Sequence, residues 1–373
     1  MKRLLYFILL IITACGSISN PDAATNNLEL KSGITNTQSD SVFQTLRYFP
    51  NRTQLSIALI NDSTVNFYGA IRINDTLKTI NNSNQAFEIG SLSKVFTSTL
   101  LAELATENKL QLDHPIQRYL DFPLNDSLQI TFRQLANHTS GLPRIPSGFV
   151  WESLWHLDNP YKDYDEDKLR EYLSDEMELN NETGTAWEYS NIGAGILGYV
   201  LTQVDGNSYE EMLQQRMFGP LDMQNSTTRR QLVKDILVQG LNKRGNPTSN
   251  WDLGAIPGAG AIVSTSRDLA HYVQANFDTT NQTLQLQQRS TFRVSDERDL
   301  ALGWFIRRQD NQQLHWHSGG TGGYRSIMVL DVTARNGVVV LSNISSGHDQ
   351  ASRISSLGFT LIKSIETTNL SQN

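Results

Sequence analysis

The chain has 373 residues, with 31 Lys and Arg against 38 Asp and Glu, and a formal net charge of −7. Hydrophobic residues make up 39% and charged residues 18%, which excludes a disordered or fibrous chain and allows one large domain with a substantial core. An acidic balance without any Lys/Arg-rich run excludes nucleic acid as a partner.

The opening MKRLLYFILLIITACG has two basic residues, an apolar run from Leu4 to Ile12, then small residues and Cys15. This is the layout of a signal peptide over residues 1–15, too short to span a bilayer as a stable helix. Ile12-Thr13-Ala14-Cys15 resembles the bacterial lipobox, which makes Cys15 the expected lipidation site. The alternative is a plain cleaved signal peptide that happens to contain Cys. Cys15 is the only cysteine, so no internal disulfide can form, in keeping with a core large enough to need none. The expectation is an exported protein of the bacterial cell envelope, facing the periplasm and held to the membrane through the anchor on Cys15. Residues 16–40 are polar and aperiodic, expected as a flexible tether to a folded domain over 41–373.

In that domain, 41–49 has a helical pattern. Residues 55–60 and 64–73 are predicted paired strands joined by the turn Asn61-Asp62-Ser63. A helix is predicted from about Ser91, with Val95, Phe96, Leu100, Leu101 and Leu104 on a buried face. From about 111 to 254 the pattern is mainly helical, broken by loops rich in Pro, Asn and Trp. Strand signals return at 300–308, 313–319, 324–332 and 337–343, and 352–365 is predicted as a closing helix. Short strands joined by tight turns imply an antiparallel sheet. The predicted fold class is therefore α+β: one antiparallel sheet flanked by helices, built from about 41–110 and 255–373, with an inserted all-α subdomain. GAGILG (193–198) matches GxGxxG, but no strand or βαβ unit surrounds it, and its small residues predict close helix packing instead.

Three short segments carry chemistry. In Ser91-Leu92-Ser93-Lys94, positions i and i+3 share a helix face, so the amine can reach the serine oxygen and, with its pKa lowered by burial, accept its proton. The helix N-terminus adds N–H groups and partial positive charge where an oxyanion would form. In Tyr189-Ser190-Asn191, a phenol near a lysine ammonium can have its pKa lowered and shuttle a proton, while the amide orients its neighbours. In His317-Ser318-Gly319, a glycine-rich strand edge lets a substrate backbone lie alongside, and the Gly320 N–H is a second candidate oxyanion donor.

The order S-x-x-K, Y-S-N, H-S-G resembles the serine β-lactamase and penicillin-binding protein superfamily, which includes D-alanyl-D-alanine carboxypeptidases. Tyr-x-Asn in the second motif resembles the class C β-lactamase-like branch. The segments ITFRQLANHTSGLP (130–143), NETGTAWEYSN (181–191), FGPLDM (218–223) and GAIPGAGAIVSTSRDLAHY (254–272) extend the resemblance over roughly 45–365. It implies a β-lactamase/transpeptidase-like fold with the active site between its two parts. It implies Ser91 as acylated nucleophile, Lys94 as its proton acceptor, Tyr189 as shared general base and acid, and Asn191 as orienter. His317, Ser318 and Gly319 would line the substrate pocket, and the N–H groups of Ser91 and Gly320 would form the oxyanion hole. Sequence leaves open whether Lys94 or Tyr189 takes the first proton. No cofactor or metal is required; the substrate would be a small molecule or a peptidoglycan peptide.

The departure is His317, where class C β-lactamases carry Lys. Histidine is mostly neutral near pH 7, which leaves acyl transfer in place and weighs against efficient β-lactam hydrolysis. A carboxylesterase or D-amino peptidase on the same scaffold is the enzymatic alternative, and a non-hydrolysing penicillin-binding sensor the alternative of another class. Arg325 is a candidate carboxylate-binding charge. His315 and His317 would share a strand face, yet no further cluster completes a zinc site. His114 and His138 sit in loop contexts with expected structural roles. Trp151, Trp155 and Tyr161 are candidate cleft walls.

Overall fold

The computed structural model describes residues 20–146, 158–309 and 312–370. Cys15 and the apolar run before it, Trp151 and Trp155 lie outside these residues. The strands in chain order are β1 (Thr25–Asn27), β2 (Gln54–Asn61), β3 (Thr64–Ile73), β4 (Thr76–Ile80), β5 (Phe87–Glu88) and β6 (Val263–Ser264). They continue with β7 (Phe292–Ser295), β8 (Arg298–Leu300), β9 (Phe305–Gln309), β10 (Gln312–Gly320), β11 (Arg325–Asp331) and β12 (Asn336–Ser342). Ten of them form one sheet in the order β1-β4-β3-β2-β12-β11-β10-β9-β8-β7. The predicted early and late strands therefore do meet, with Ala58 opposite Val339 at the β2–β12 seam.

The central strands are apolar at nearly every position because both faces of the sheet are covered. On β2, Leu55, Ile57 and Leu59 enter one core and Ala58 and Ile60 the other. On β12, Val338 and Val340 join the first core and Val339 and Leu341 the second. Each buried Leu, Ile or Val among them contributes roughly 1.5–3 kcal/mol, which is how the domain holds without a disulfide. Helices α1 (Asn36–Leu46) and α9 (Ser352–Leu370) cover the first face, through Val42 and Leu46 and through Ile354, Leu357, Leu361 and Ile365.

Three expectations are corrected. The sheet is antiparallel except at its edge, where β1 pairs parallel with β4. The folded body begins before position 41: β1 lies within the stretch expected as tether, and Thr35 opens α1 with a capping box to Gln38. The expected strand at 300–308 is broken between β8 and β9, where Gly303 adopts φ +72°.

The other face carries α2 (Ser93–Thr106), a helix buried nearly all round rather than on one stripe. Val95, Phe96, Leu100, Leu101 and Leu104 are all fully buried. Among its described residues the insertion carries α3 (Phe132–Ala136), α4 (Glu166–Glu171), α5 (Asn191–Asp205) and α6 (Tyr209–Leu213), with α4 and α6 running on into wider helical turns at Tyr172–Glu176 and Gln214–Phe218. The GAGILG stretch lies in α5 and does pack closely, since a Cβ on Gly195 would fall 2.4 Å from the Cβ of Ile256. Helices α7 (Ser266–Ala275) and α8 (Gln282–Gln288) complete this layer.

Candidate active site

Ser91 sits in the 3-10 turn Gly90–Leu92 that leads into α2. Gly90 has φ +54°, and a Cβ there would stand 2.6 Å from the amide nitrogen of Gly320 on β10. On the facing strand a Cβ on Gly319 would lie 1.8 Å from the carbonyl oxygen of Ile89. Two glycines thus let β10 press against the serine turn, bringing Ser91 and Gly320 to the wall of one cavity of about 210 Å³. The register of β10 explains why this edge is open. Its pairing with β9 ends at Trp316 opposite Phe305, whereas its pairing with β11 runs on through Gly320. Among the described residues, His317 to Gly320 thus carry no ladder partner on the β9 side, the kind of edge along which an extended substrate can lie.

One helical turn behind Ser91, the Lys94 amine makes three contacts: Ser91 Oγ at 3.1 Å, Asn191 Oδ1 at 2.9 Å and the Ala259 carbonyl oxygen at 2.7 Å. Burial, and after it the charge of Arg144, holds Lys94 well below the ordinary lysine range. A neutral amine has two N–H donors and one lone pair. Asn191 Oδ1 and the Ala259 carbonyl can only accept, so they take two N–H groups, and the remaining direction, toward Ser91 Oγ, holds an N–H in the ammonium form and the lone pair in the neutral form that burial favours.

Tyr189 also lies within hydrogen-bonding reach of Ser91. Its phenol is not lowered as the sequence argument expects. Burial pushes it up to about 12, against the opposing influence of Ser91 and Arg144. Burial thus keeps the phenol protonated, and Tyr189 rests as a proton donor.

Ser190 caps α5, its hydroxyl accepting from the Gly193 N–H at 2.8 Å and donating to the Pro143 carbonyl at 2.7 Å. That frees the Asn191 side chain for Lys94 and, through Nδ2, the Tyr161 hydroxyl at 3.4 Å. Tyr161 lines the cavity, as expected, next to Trp251.

His317 is 2% exposed, and burial holds its imidazole down at about 3. Nδ1 lies 2.8 Å from the Ser318 carbonyl, which can only accept, so the proton is on Nδ1 and the buried Nε2 is a bare acceptor. His315 instead turns its Nε2 to the Gln288 carbonyl at 3.0 Å.

Three residues contribute in ways the sequence reading does not assign. His138 accepts the Ser190 N–H on Nδ1 at 3.2 Å, and its ring lies 4.5 Å from that of Tyr189, so it fixes where the phenol stands. Ala259 acts through its backbone, which no side-chain motif can reveal. Arg144 follows HTSGLP, lines the cavity with Ser91, and sets its guanidinium 5.2 Å over the Tyr189 ring. Arg325 donates to Ser355 on α9 at 3.1 Å and sits behind the Gly320 edge, where its charge reaches Tyr189 and His317 without lining the cavity.

A mixed sheet with a helical insertion and a Ser–Lys pair at their seam is the β-lactamase/transpeptidase-like architecture. The Beta-lactamase family model matches residues 42–357, and the chain belongs to that family. It is 28% identical over 276 residues to Protein flp of Staphylococcus aureus (strain MW2), covering 70% of this chain and 53% of that protein. It is 29% identical over 266 residues to Beta-lactamase-like protein 2 of Dictyostelium discoideum, covering 66% of this chain and 47% of that protein. The chain thus spans about half the length of these curated relatives. The fold superposes on a beta-lactamase/D-alanine carboxypeptidase from Pseudomonas syringae with a TM-score of 0.72 at 20% identity, covering 88% of this chain and 97% of that one. A class C beta-lactamase from Rhodobacter sphaeroides gives 0.73 at 19% identity, covering 89% and 99%.

Proposed function

We propose that this protein is a serine hydrolase that forms an acyl-enzyme on Ser91 and acts on amide bonds of D-Ala-type peptidoglycan peptides or β-lactams. The observation that carries the reading is the Lys94 amine, 3.1 Å from Ser91 Oγ with acceptor-only partners on its other side. In the first step Ser91 Oγ attacks the carbonyl carbon while its proton passes to the Lys94 lone pair. The resulting oxyanion is met by the N–H groups of Ser91 and Gly320. Tyr189 gives its proton to the departing nitrogen and regains one from the Lys94 ammonium, so the C–N bond breaks with charge balanced. Water then repeats the sequence on the acyl ester, with the proton travelling the same pair.

A neutral His317 favours a second reading, a carboxylesterase or D-amino peptidase, because the third motif offers an acceptor where a cation would hold a β-lactam carboxylate. Mass spectrometry of the intact full chain mixed with benzylpenicillin separates these readings. A Ser91 adduct that forms and decays supports a β-lactamase, a lasting one a peptidase or a non-hydrolysing sensor. No adduct together with cleavage of a p-nitrophenyl ester supports the esterase. If neither reagent reacts at Ser91, the reading fails.

Export and anchoring through Cys15 belong to the same proposal, supported by the basic start, the apolar run and the lipobox-like tetrapeptide. Cys15→Ser is expected to shift the protein from the membrane fraction to the soluble one; an unchanged distribution refutes the anchor.

A further inference from the structure

We infer that Arg144 is the carboxylate-recognising residue of this site, so that the protein selects substrates whose leaving group ends in a free carboxylate, such as a C-terminal D-amino acid. The inference rests on the acyl-transfer reading of Ser91 and names the substrate feature that reading leaves open.

Elimination among the nearby cationic side chains leads to Arg144. Lys94 is committed by its three contacts to Ser91, Asn191 and Ala259. His317 uses its one proton on the Ser318 carbonyl and presents a bare nitrogen. Arg325 is largely buried behind β10, where its charge reaches Tyr189 and His317; it donates to Ser355 and does not line the cavity that holds Ser91. Arg144 is different: its side chain is exposed and lines the cavity that holds Ser91. Among the described residues no carboxylate forms an ion pair with it. Its reach over the site is also visible in the charge it exerts on Lys94, His138, Tyr161 and Tyr189.

Its position fits the leaving-group side. The guanidinium lies over the ring of Tyr189, the group that gives a proton to the departing nitrogen. The residue is held there by its backbone, whose carbonyl accepts the N–H groups of Asn191 at 2.9 Å and Ile192 at 3.3 Å at the start of α5. A guanidinium offers two parallel N–H donors to a carboxylate, a match that a lysine ammonium does not make. The cation missing from the third motif is thus replaced from the opposite wall, by a residue of the helical insertion.

The test compares N-acetyl-D-Ala-D-Ala with its C-terminal amide on the full chain, as wild type, Arg144→Gln and Arg144→Lys. The wild type is expected to prefer the free acid in kcat/KM, the preference to fall about tenfold or more in Arg144→Gln, and part of it to return in Arg144→Lys. A preference unaltered in Arg144→Gln overturns the assignment. The same pair of ligands is also titrated by calorimetry into Ser91→Ala and Ser91→Ala/Arg144→Gln, where acylation is impossible. Tighter binding of the acid that vanishes with Arg144 supports the assignment even if the wild type turns nothing over, a result that would sink only the acyl-transfer reading. Equal binding of acid and amide in Ser91→Ala overturns the assignment whatever the turnover.

Discussion

Adding one methyl group at Gly319 tests how tightly the serine turn and β10 must fit. A Cβ there would lie 1.8 Å from the Ile89 carbonyl oxygen and 2.5 Å from Ser326 Oγ. Carbon–oxygen contacts settle at about 3.3 Å, so backbone has to yield by about 1.5 Å. Neither neighbour is free to give way, because Ser326 Oγ donates to that same carbonyl at 2.8 Å and Ile89 leads directly into the turn carrying Ser91. Overpacking of this kind costs about 1–3 kcal/mol of stability. A displacement near 1 Å between nucleophile and oxyanion donor costs about 10²-fold in rate. Gly319→Ala is therefore expected to fold, to melt a few degrees lower, and to lose about 10²-fold in kcat/KM toward a p-nitrophenyl ester. The assay is steady-state hydrolysis beside a calorimetric melt. A variant that keeps full activity would refute the close fit of β10 to Ser91 and, with it, the Gly320 N–H as oxyanion donor.

Lys94→Met removes the base while keeping a side chain of similar length, and acylation by benzylpenicillin or an ester should slow about 10²–10⁴-fold with an unchanged near-ultraviolet dichroism spectrum. An adduct formed at the wild-type rate would show that the proton goes elsewhere. The pH profile separates the candidates further. Protonation of Lys94, whose value burial holds well below 10.5, removes the acceptor, so kcat/KM is expected to fall only on the acid side. His317, at about 3, and Tyr189, at about 12, keep their protonation states through the neutral range, so neither produces an inflection near 6.5. An inflection there that disappears in His317→Asn would contradict the neutral, buried imidazole.

The parts legible in the sequence are those whose signal is local. The strands at 55–60 and 64–73 are visible because branched apolar residues crowd them, and the hairpin between them because Asp62 tolerates φ +52°. Strand β1 is Thr-Asn-Asn, with no alternation to betray it; only its partner β4 makes it a strand. The break at Gly303 looks like uninterrupted strand because a single glycine does not announce its φ. In the site, Ser91, Lys94, Tyr189, Asn191 and His317 are visible through spacing and order. Their protonation is not, because it depends on what buries them: the same Lys94 in water would carry a charge and would raise no question about Tyr189. Arg144 and His138 are ordinary loop residues until the fold sets one over the phenol and the other against it.

The seam between β2 and β12 has a consequence for the timing of reactivity. Ser91 and Lys94 belong to the early part of the chain, whereas the strand edge that faces them, β10, comes near its end and is joined to the early strands only through β11 and β12. Pairings across so long a stretch of chain form late and slowly. Until they do, Ser91 is an ordinary alcohol beside a solvated ammonium, with no Gly320 N–H to receive an oxyanion. On the proposed reading of Ser91, a chain truncated before β10 is expected to be unreactive at that serine, because the reactive arrangement comes into being only with the finished sheet.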